Sequence, residues 1–261
     1  MRILLTNDDG VHAEGLASLE RIAAALSDDV WVVAPELEQS GASHAMTLTD
    51  PVRVRRLGPR KFAISGTPTD CIILAMTDLI EGDKPDLVLS GVNRGANLGE
   101  DISMSGTVAG ALEAMVLGVR AIAVSQEADY SKPEPTARFE TAEAHGPGVI
   151  ARLLELGWPD GVVINLNFPD CAPDQVTEIE VTRQGFRDIH SLQAERRTDL
   201  RGRDYYWIGY FERSAPEIKD TDLAAILQGR ISVTPIHIDL THLPTVHALK
   251  KVLGGPPPKI P

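Results

Sequence analysis

Short apolar runs rich in β-branched residues alternate along this chain with segments whose apolar residues recur at helical spacing, and that alternation constrains the fold more than any single motif. Ile3-Leu4-Leu5 and Val30-Trp31-Val32-Val33 are too apolar for a strand with one wet face, so they read as buried parallel strands. Between them Leu16, Leu19, Ile22, Ala23 and Leu26 form one apolar helical stripe. Ile72, Ile73, Met76 and Leu79 mark a second helix, and Leu87-Val88-Leu89 the strand after it. The rhythm continues with a helix over 106–117, a strand over 121–124, a helix around 148–156 and the strand Val162-Val163-Ile164. Residues 52–64, with Gly58-Pro59 inside, read as a strand pair. Strands alternating with helices imply βαβ crossovers. The expected fold is therefore α/β, a doubly wound and mostly parallel (Rossmann-like) sheet.

The pattern changes after Pro169. Residues 179–182 and 205–211 are β-like and flank a charged insert containing Glu195-Arg196-Arg197. A short helix (223–227) and a strand (231–236) then restore the rhythm, and 243–253 reads as a closing helix. We expect residues 1–170 to form the catalytic core. Residues 171–253 form a C-terminal part that carries a β-hairpin extension (about 176–212) and returns to the core. The last eight residues, 254–261, hold four prolines and read as a flexible tail. Tyr205, Tyr206, Trp207, Tyr210 and Phe211 are five of the twelve aromatic residues. Adjacent strand residues point to opposite faces, so one core covers only half of them. The hairpin is thus the expected contact of a homodimer or homotetramer.

Lys+Arg number 25 against 37 Asp+Glu, a net charge of −12, which argues against nucleic-acid polymers and anionic membranes as partners. A small anionic substrate then needs a local counter-charge. Two cysteines a hundred positions apart, Cys71 and Cys171, give neither a disulfide framework nor a zinc spacing. No secretory h-region and no bilayer-length apolar run is present, so a cytoplasmic location is expected.

Four stretches carry chemistry. Asn7-Asp8-Asp9-Gly10 ends the first strand, where open α/β sheets bind ligands. The residues leave two readings open: an Asp-rich turn, or two carboxylates turned at Gly10 onto one metal ion. The run from Gly91 to Gly99 follows what counts as the fourth strand, which flanks the switch point beside the first. In it Asn93 offers a carbonyl oxygen to a hard cation and Asn97 an amide to phosphate, although Asn and Gly also favour plain turns. Ser105-Gly106-Thr107 opens a helix, either as an ordinary cap or as a phosphate cradle, and the two are compatible. Ser40, in Gln39-Ser40-Gly41, has a hydroxyl to offer the ion. His44 reads as solvated, and Gly66-Thr67-Pro68-Thr69-Asp70 as a structural helix start.

Dinucleotide, P-loop and esterase-elbow motifs are absent. With these stretches assembled, the chain resembles the SurE (survival protein E) family of metal-dependent nucleotidases. The resemblance rests on Leu5-Thr6-Asn7-Asp8-Asp9-Gly10-Val11, Ala34-Pro35, Ser40-Gly41, Gly66-Thr67-Pro68-Thr69-Asp70-Cys71, the run from Ser90 to Gly99, Ser105-Gly106-Thr107-Val108 and Ser232-Val233-Thr234-Pro235. It implies one divalent ion per subunit held by Asp8, Asp9, Ser40 and Asn93, with Asn97 and Ser105-Gly106-Thr107 around the substrate phosphate. It also implies hydrolysis of nucleoside 5′- and 3′-monophosphates, with short polyphosphate as a further substrate. An all-oxygen donor set suits Mg²⁺ or Mn²⁺. Two other classes compete. A receiver-like signalling domain also carries acids after its first strand, but Ser90-Gly91 stands where a phospho-acceptor Asp belongs, and no Lys closes the strand at 121–125. A non-catalytic nucleotide-binding module would share the site but show no turnover.

Overall fold

The computed structural model describes residues 1–130, 136–187, 189–214 and 218–255. Its first unit is β1 (Arg2–Thr6), α1 (Glu14–Ala24) and β2 (Asp29–Pro35). β1 is buried on both faces: Ile3 and Leu5 pack against α1, while Leu4 faces the opposite layer. α1 turns Leu16, Leu19, Ile22 and Ala23 inward, the stripe that the spacing requires. Its first turn slides under the sheet at Gly15, where an added Cβ would stand 2.0 Å from the carbonyl oxygen of Val92. No other residue fits there.

An antiparallel pair follows, β3 (Val54–Gly58) and β4 (Lys61–Ile64), then α2 (Pro68–Leu74), extended by one π-helical turn, Ala75–Leu79. α2 starts as expected, on a capping box between Thr67 and Asp70 with Pro68 in the first turn. β5 (Leu87–Arg94), α3 (Gly106–Val116), β6 (Arg120–Gln126), two short strands β7 (Ala128–Asp129) and β8 (Thr136–Ala137), α4 (Phe139–Leu156) and β9 (Val162–Phe168) complete the doubly wound part. α4 begins nine residues before the expected start, because Pro147 lies inside it rather than ahead of it.

The C-terminal part contributes β10 (Ile179–Val181), β11 (Ile189–Thr198), β12 (Asp204–Ser214), α5 (Asp222–Leu227), β13 (Ile231–His237) and α6 (Leu243–Leu253). The main sheet has nine strands in the order β10-β13-β9-β6-β5-β1-β2-β4-β3. β1, β2, β4, β5, β6 and β9 run parallel, and β13 lies antiparallel to β9. One apolar layer joins the sheet to α1 and α4, the other joins it to α2 and α3.

The expected hairpin needs correction. Residues 179–181 do not pair with the aromatic stretch; as β10 they extend the main sheet beside β13. The partner of the aromatic strand is the charged insert itself, which forms β11. Glu195 lies opposite Trp207, Arg196 opposite Tyr206 and Arg197 opposite Tyr205. The ribbon β11–β12 joins no strand of the main sheet. The closing helix α6 has the expected bounds, while residues 256–261 of the predicted tail lie outside the described residues. Among the described residues no helix is long and apolar enough to cross a membrane.

Candidate active site at the strand tips

The order of the sheet brings the ends of β1 and β5 side by side, with Thr6 in register with Ser90. This is the switch point of the doubly wound order, where strand tips leave a crevice. The turn after β1 is tied down on two sides. Asn7 Nδ2 donates to the Gly10 carbonyl at 2.9 Å, and Gly10 turns the chain at φ +102°. Val11 N–H reaches the Pro35 carbonyl and Gln39 N–H the Asp8 carbonyl, both at 2.7 Å. The loop that carries Ser40 is thereby fastened to the loop that carries Asp8.

Asp8 is only 5% exposed. The Thr107 hydroxyl donates to its Oδ1. Behind it stands the N-terminus of α3, and an added Cβ on Gly106 would lie 2.9 Å from both Cβ and Oδ2 of Asp8. Glycine is what allows the helix start and the carboxylate to share this space. Burial pushes the Asp8 carboxyl from 3.8 up to about 6, and Asp9's charge adds to the rise, against the Thr107 hydroxyl, which lowers it. Asp9 is also raised, chiefly by burial; the Arg94 N–H, donating to Asp9 Oδ2 at 3.2 Å, and the Arg94 charge pull it down. Glu38 adds a further negative charge beside Asp9. Among the described residues neither aspartate forms an ion pair with a cationic side chain.

Asn93 sits just before Arg94, and its Nδ2 is committed to the Gly95 carbonyl at 2.8 Å, so Oδ1 is the side-chain atom that could face a cation. Ser105 caps α3, accepting the Val108 N–H at 3.0 Å, so the plain-cap reading holds and leaves the N–H groups of Gly106 and Thr107 at the helix tip. Ser40 is the exception. Its loop is at the site, but its hydroxyl donates to Glu38 Oε1 at 2.7 Å rather than meeting an aspartate. Asn97 is buried, one hydrogen of its Nδ2 donated to Ser125 Oγ at 2.9 Å.

Sequence reasoning missed several supports. Asn165 and Asn167 on β9 and Ser125 at the end of β6 surround Asn97; the only signal was two polar residues in an otherwise apolar strand. His44, read as solvated, is half-buried and paired: its Nε2 lies 2.9 Å from Glu113 Oε2 on α3. Arg187, 7% exposed, pairs with Glu100 and Asp101, and Asp222 accepts the Gly99 N–H at 2.8 Å. The C-terminal part thus holds the loop after Asn97 from behind.

A buried and a half-buried carboxylate beside a helix N-terminus, at the switch point of a doubly wound sheet, define a class of α/β protein with a polar crevice at its strand tips. Within that class the assignment is specific. The sequence profile described as Survival protein SurE matches residues 3–191, and the chain belongs to this family. It is 65% identical over 261 residues to the 5'-nucleotidase SurE of Phenylobacterium zucineum (strain HLK1), covering all of both chains. To the 5'-nucleotidase SurE of Caulobacter sp. (strain K31) it is 64% identical over 259 residues, 99% of this chain and 96% of that one. The crystal structure of Sure protein from Aquifex aeolicus superposes with a TM-score of 0.81 at 36% identity, covering 97% of this chain and 99% of that one.

Proposed function

We propose that this chain is a metal-dependent 5′-nucleotidase that hydrolyses nucleoside 5′-monophosphates to nucleoside and phosphate, with 3′-monophosphates and short polyphosphate as further substrates. Relatives named for the first of these activities match it from end to end. The observation that carries the metal is electrostatic. Asp8, Asp9 and Glu38 gather negative charge where an anionic phosphate has to enter, and the Arg94 charge, which acts on Asp9, offsets only part of it. An anion approaches such a site only across a cation.

The residues present fit a hard divalent ion: two carboxylates, the Asn93 carbonyl oxygen and, after release from Glu38, the Ser40 hydroxyl. When bound, a Mg²⁺ or Mn²⁺ ion supplies a Lewis acid that polarises phosphoryl oxygens and acidifies water. The protein's own groups do the rest. The N–H groups of Gly106 and Thr107 and the α3 dipole receive the phosphate oxygens and stabilise their growing charge. The Asn97 amide adds a neutral donor, and the Thr107 hydroxyl fixes the rotamer of Asp8. The test is phosphate release from a panel of nucleotides, with and without chelator. Zero turnover with either metal present would favour a nucleotide-binding module instead.

A second reading concerns assembly. Tyr205, Tyr206, Trp207 and Ile208 are all exposed on a ribbon that, among the described residues, pairs with no strand of the main sheet. An isolated two-stranded ribbon is marginal in water, and an apolar row of this kind belongs under a second copy of the chain. We assign the ribbon to a homodimer or homotetramer.

A further inference from the structure

We propose that Ser125, Asn165 and Asn167 are positioning residues that lock Asn97 in the orientation it needs at the substrate phosphate. The proposal rests on the nucleotidase reading above, and it reaches three side chains that touch neither the aspartates nor the helix tip.

The geometry is a clamp on every polar group that Asn97 offers to the interior. Its backbone N–H donates to Asn167 Oδ1 at 2.9 Å. Its backbone carbonyl accepts Asn165 Nδ2 at 2.8 Å, with Asn167 Nδ2 at 3.4 Å as a weaker second donor. Its side-chain Nδ2 donates to Ser125 Oγ at 2.9 Å. Main-chain atoms have fixed donor and acceptor identities, so they fix which way the amides of Asn165 and Asn167 point.

The clamp comes from two adjacent parallel strands. Ser125 on β6 stands in register with Asn167 on β9, and Asn165 lies two residues earlier on the same face. All three are fully buried. Polar residues in the middle of a nine-stranded sheet do nothing for packing that Val or Leu would not do better. Among the described residues Asn165 Oδ1 even lacks a protein donor, which a residue chosen for packing would not leave. What these side chains accomplish is to pin a loop residue with the rigidity of the sheet. Asn97 belongs to the segment between β5 and α3, which on its own is a glycine-rich connection. Pinned, its amide meets the phosphate without first losing rotamer freedom.

The experiment uses the metal-loaded enzyme with AMP as substrate and inorganic phosphate as inhibitor. Ser125→Ala and Asn165→Leu should each lower kcat/KM by about ten- to hundredfold, with phosphate inhibition weakened in step. The upward shift of Tm caused by Mn²⁺ should stay unchanged in both, because the metal ligands are untouched. Ser125→Thr, which keeps the hydroxyl, should recover most of the loss. The deciding measurement is the cycle with Asn97→Ala: in that background Ser125→Ala should cost nothing further, since it acts only through Asn97. Additive losses in the cycle, or variants with a lowered Tm but parental kcat/KM and phosphate inhibition, overturn the proposal. A parent enzyme with no turnover sinks the nucleotidase reading itself and this inference with it.

Discussion

The tip of β1 and the β11–β12 ribbon break the usual partition of polar and apolar groups in opposite senses. Asp8 is a carboxylate 5% exposed with, among the described residues, no cationic side chain against it, and Trp207 is an indole 61% exposed to water. Each is a poor choice for a chain that meets nothing else. The rest of the sheet obeys the rules: β1 buries Ile3, Leu4 and Leu5 completely between two helical layers. What the contrast teaches is that a chain's local violations mark where it completes itself with other matter. On the function proposed above, that matter is ionic and small at the strand tip, and apolar and extended at the ribbon.

The comparison breaks most decisively at Asp8. We expect Asp8→Asn to lower AMP hydrolysis by at least about a thousandfold, because the metal site loses a charged ligand. In the metal-free protein the same change should stabilise. Below its ordinary value of 3.8 the carboxyl is protonated in both the folded and unfolded chain, and it costs nothing. As pH rises from there to about 6 the unfolded chain ionises first, so folded stability falls. Above about 6 the penalty is complete, up to roughly 3 kcal/mol. Chemical denaturation of parent and variant in chelator, at acidic and at mildly alkaline pH, measures this directly. A variant no more stable than the parent at alkaline pH would mean that Asp8 is satisfied without a metal.

Gly106→Val comes next. A Cβ there would lie 2.9 Å from the Asp8 side chain, so the helix tip must retreat. Phosphate inhibition and turnover should weaken by about a hundredfold. Unchanged phosphate inhibition would return the Ser105-Gly106-Thr107 turn to a cap and nothing more.

At the ribbon the effect is on mass rather than rate. Trp207→Glu should reduce the particle seen by light scattering from a dimer or tetramer to a single chain. Stability of the sheet core should change by no more than about 0.5 kcal/mol, as for an exposed residue. A parent that scatters as a monomer at high concentration removes the reason for treating the ribbon as an interface.

What the sequence disclosed follows the same division. The strands β1, β2, β5, β6 and β9 were legible because burial on both faces leaves no polar alternation to confuse the pattern. Asp8, Asp9, Asn93, Asn97 and the Ser105 turn were legible because each follows a strand or opens a helix at the switch point. α4 was half legible: the expected helix covers only residues around 148–156, yet Phe139, Ala142 and Gly146 pack inward, and tertiary contact carries the helix through Pro147. β11 was not legible at all. Glu195-Arg196-Arg197 carries no strand pattern, and the strand exists because β12 lies opposite. The hidden supports of Asn97 were illegible for a different reason. Nothing in a linear pattern says that polar residues of one strand will meet the backbone of a loop some seventy positions away.

The smallest expected effect is the finest test of the strand tip. Thr107 donates its hydroxyl to Asp8 Oδ1, and that bond lowers the Asp8 carboxyl against the larger upward push of burial. Thr107→Val removes the donor and keeps the shape, although the new methyl group sits against the carboxylate. In the metal-free protein Asp8 should then titrate above about 6, its value in the parent. The sign follows from linkage. With the folded value raised further, the loss of stability on raising pH still begins at 3.8 but continues beyond about 6, so the variant is least stable relative to the parent at alkaline pH. The acid limb of the AMP pH–rate profile should move in the same alkaline direction, by less, because a bound cation opposes protonation of Asp8. A side-chain carboxyl titration by NMR in chelator separates the two contributions. If Asp8 titrates no higher in Thr107→Val than in the parent, the hydroxyl is not what holds the carboxylate down, and the partial charge of the α3 N-terminus does so alone.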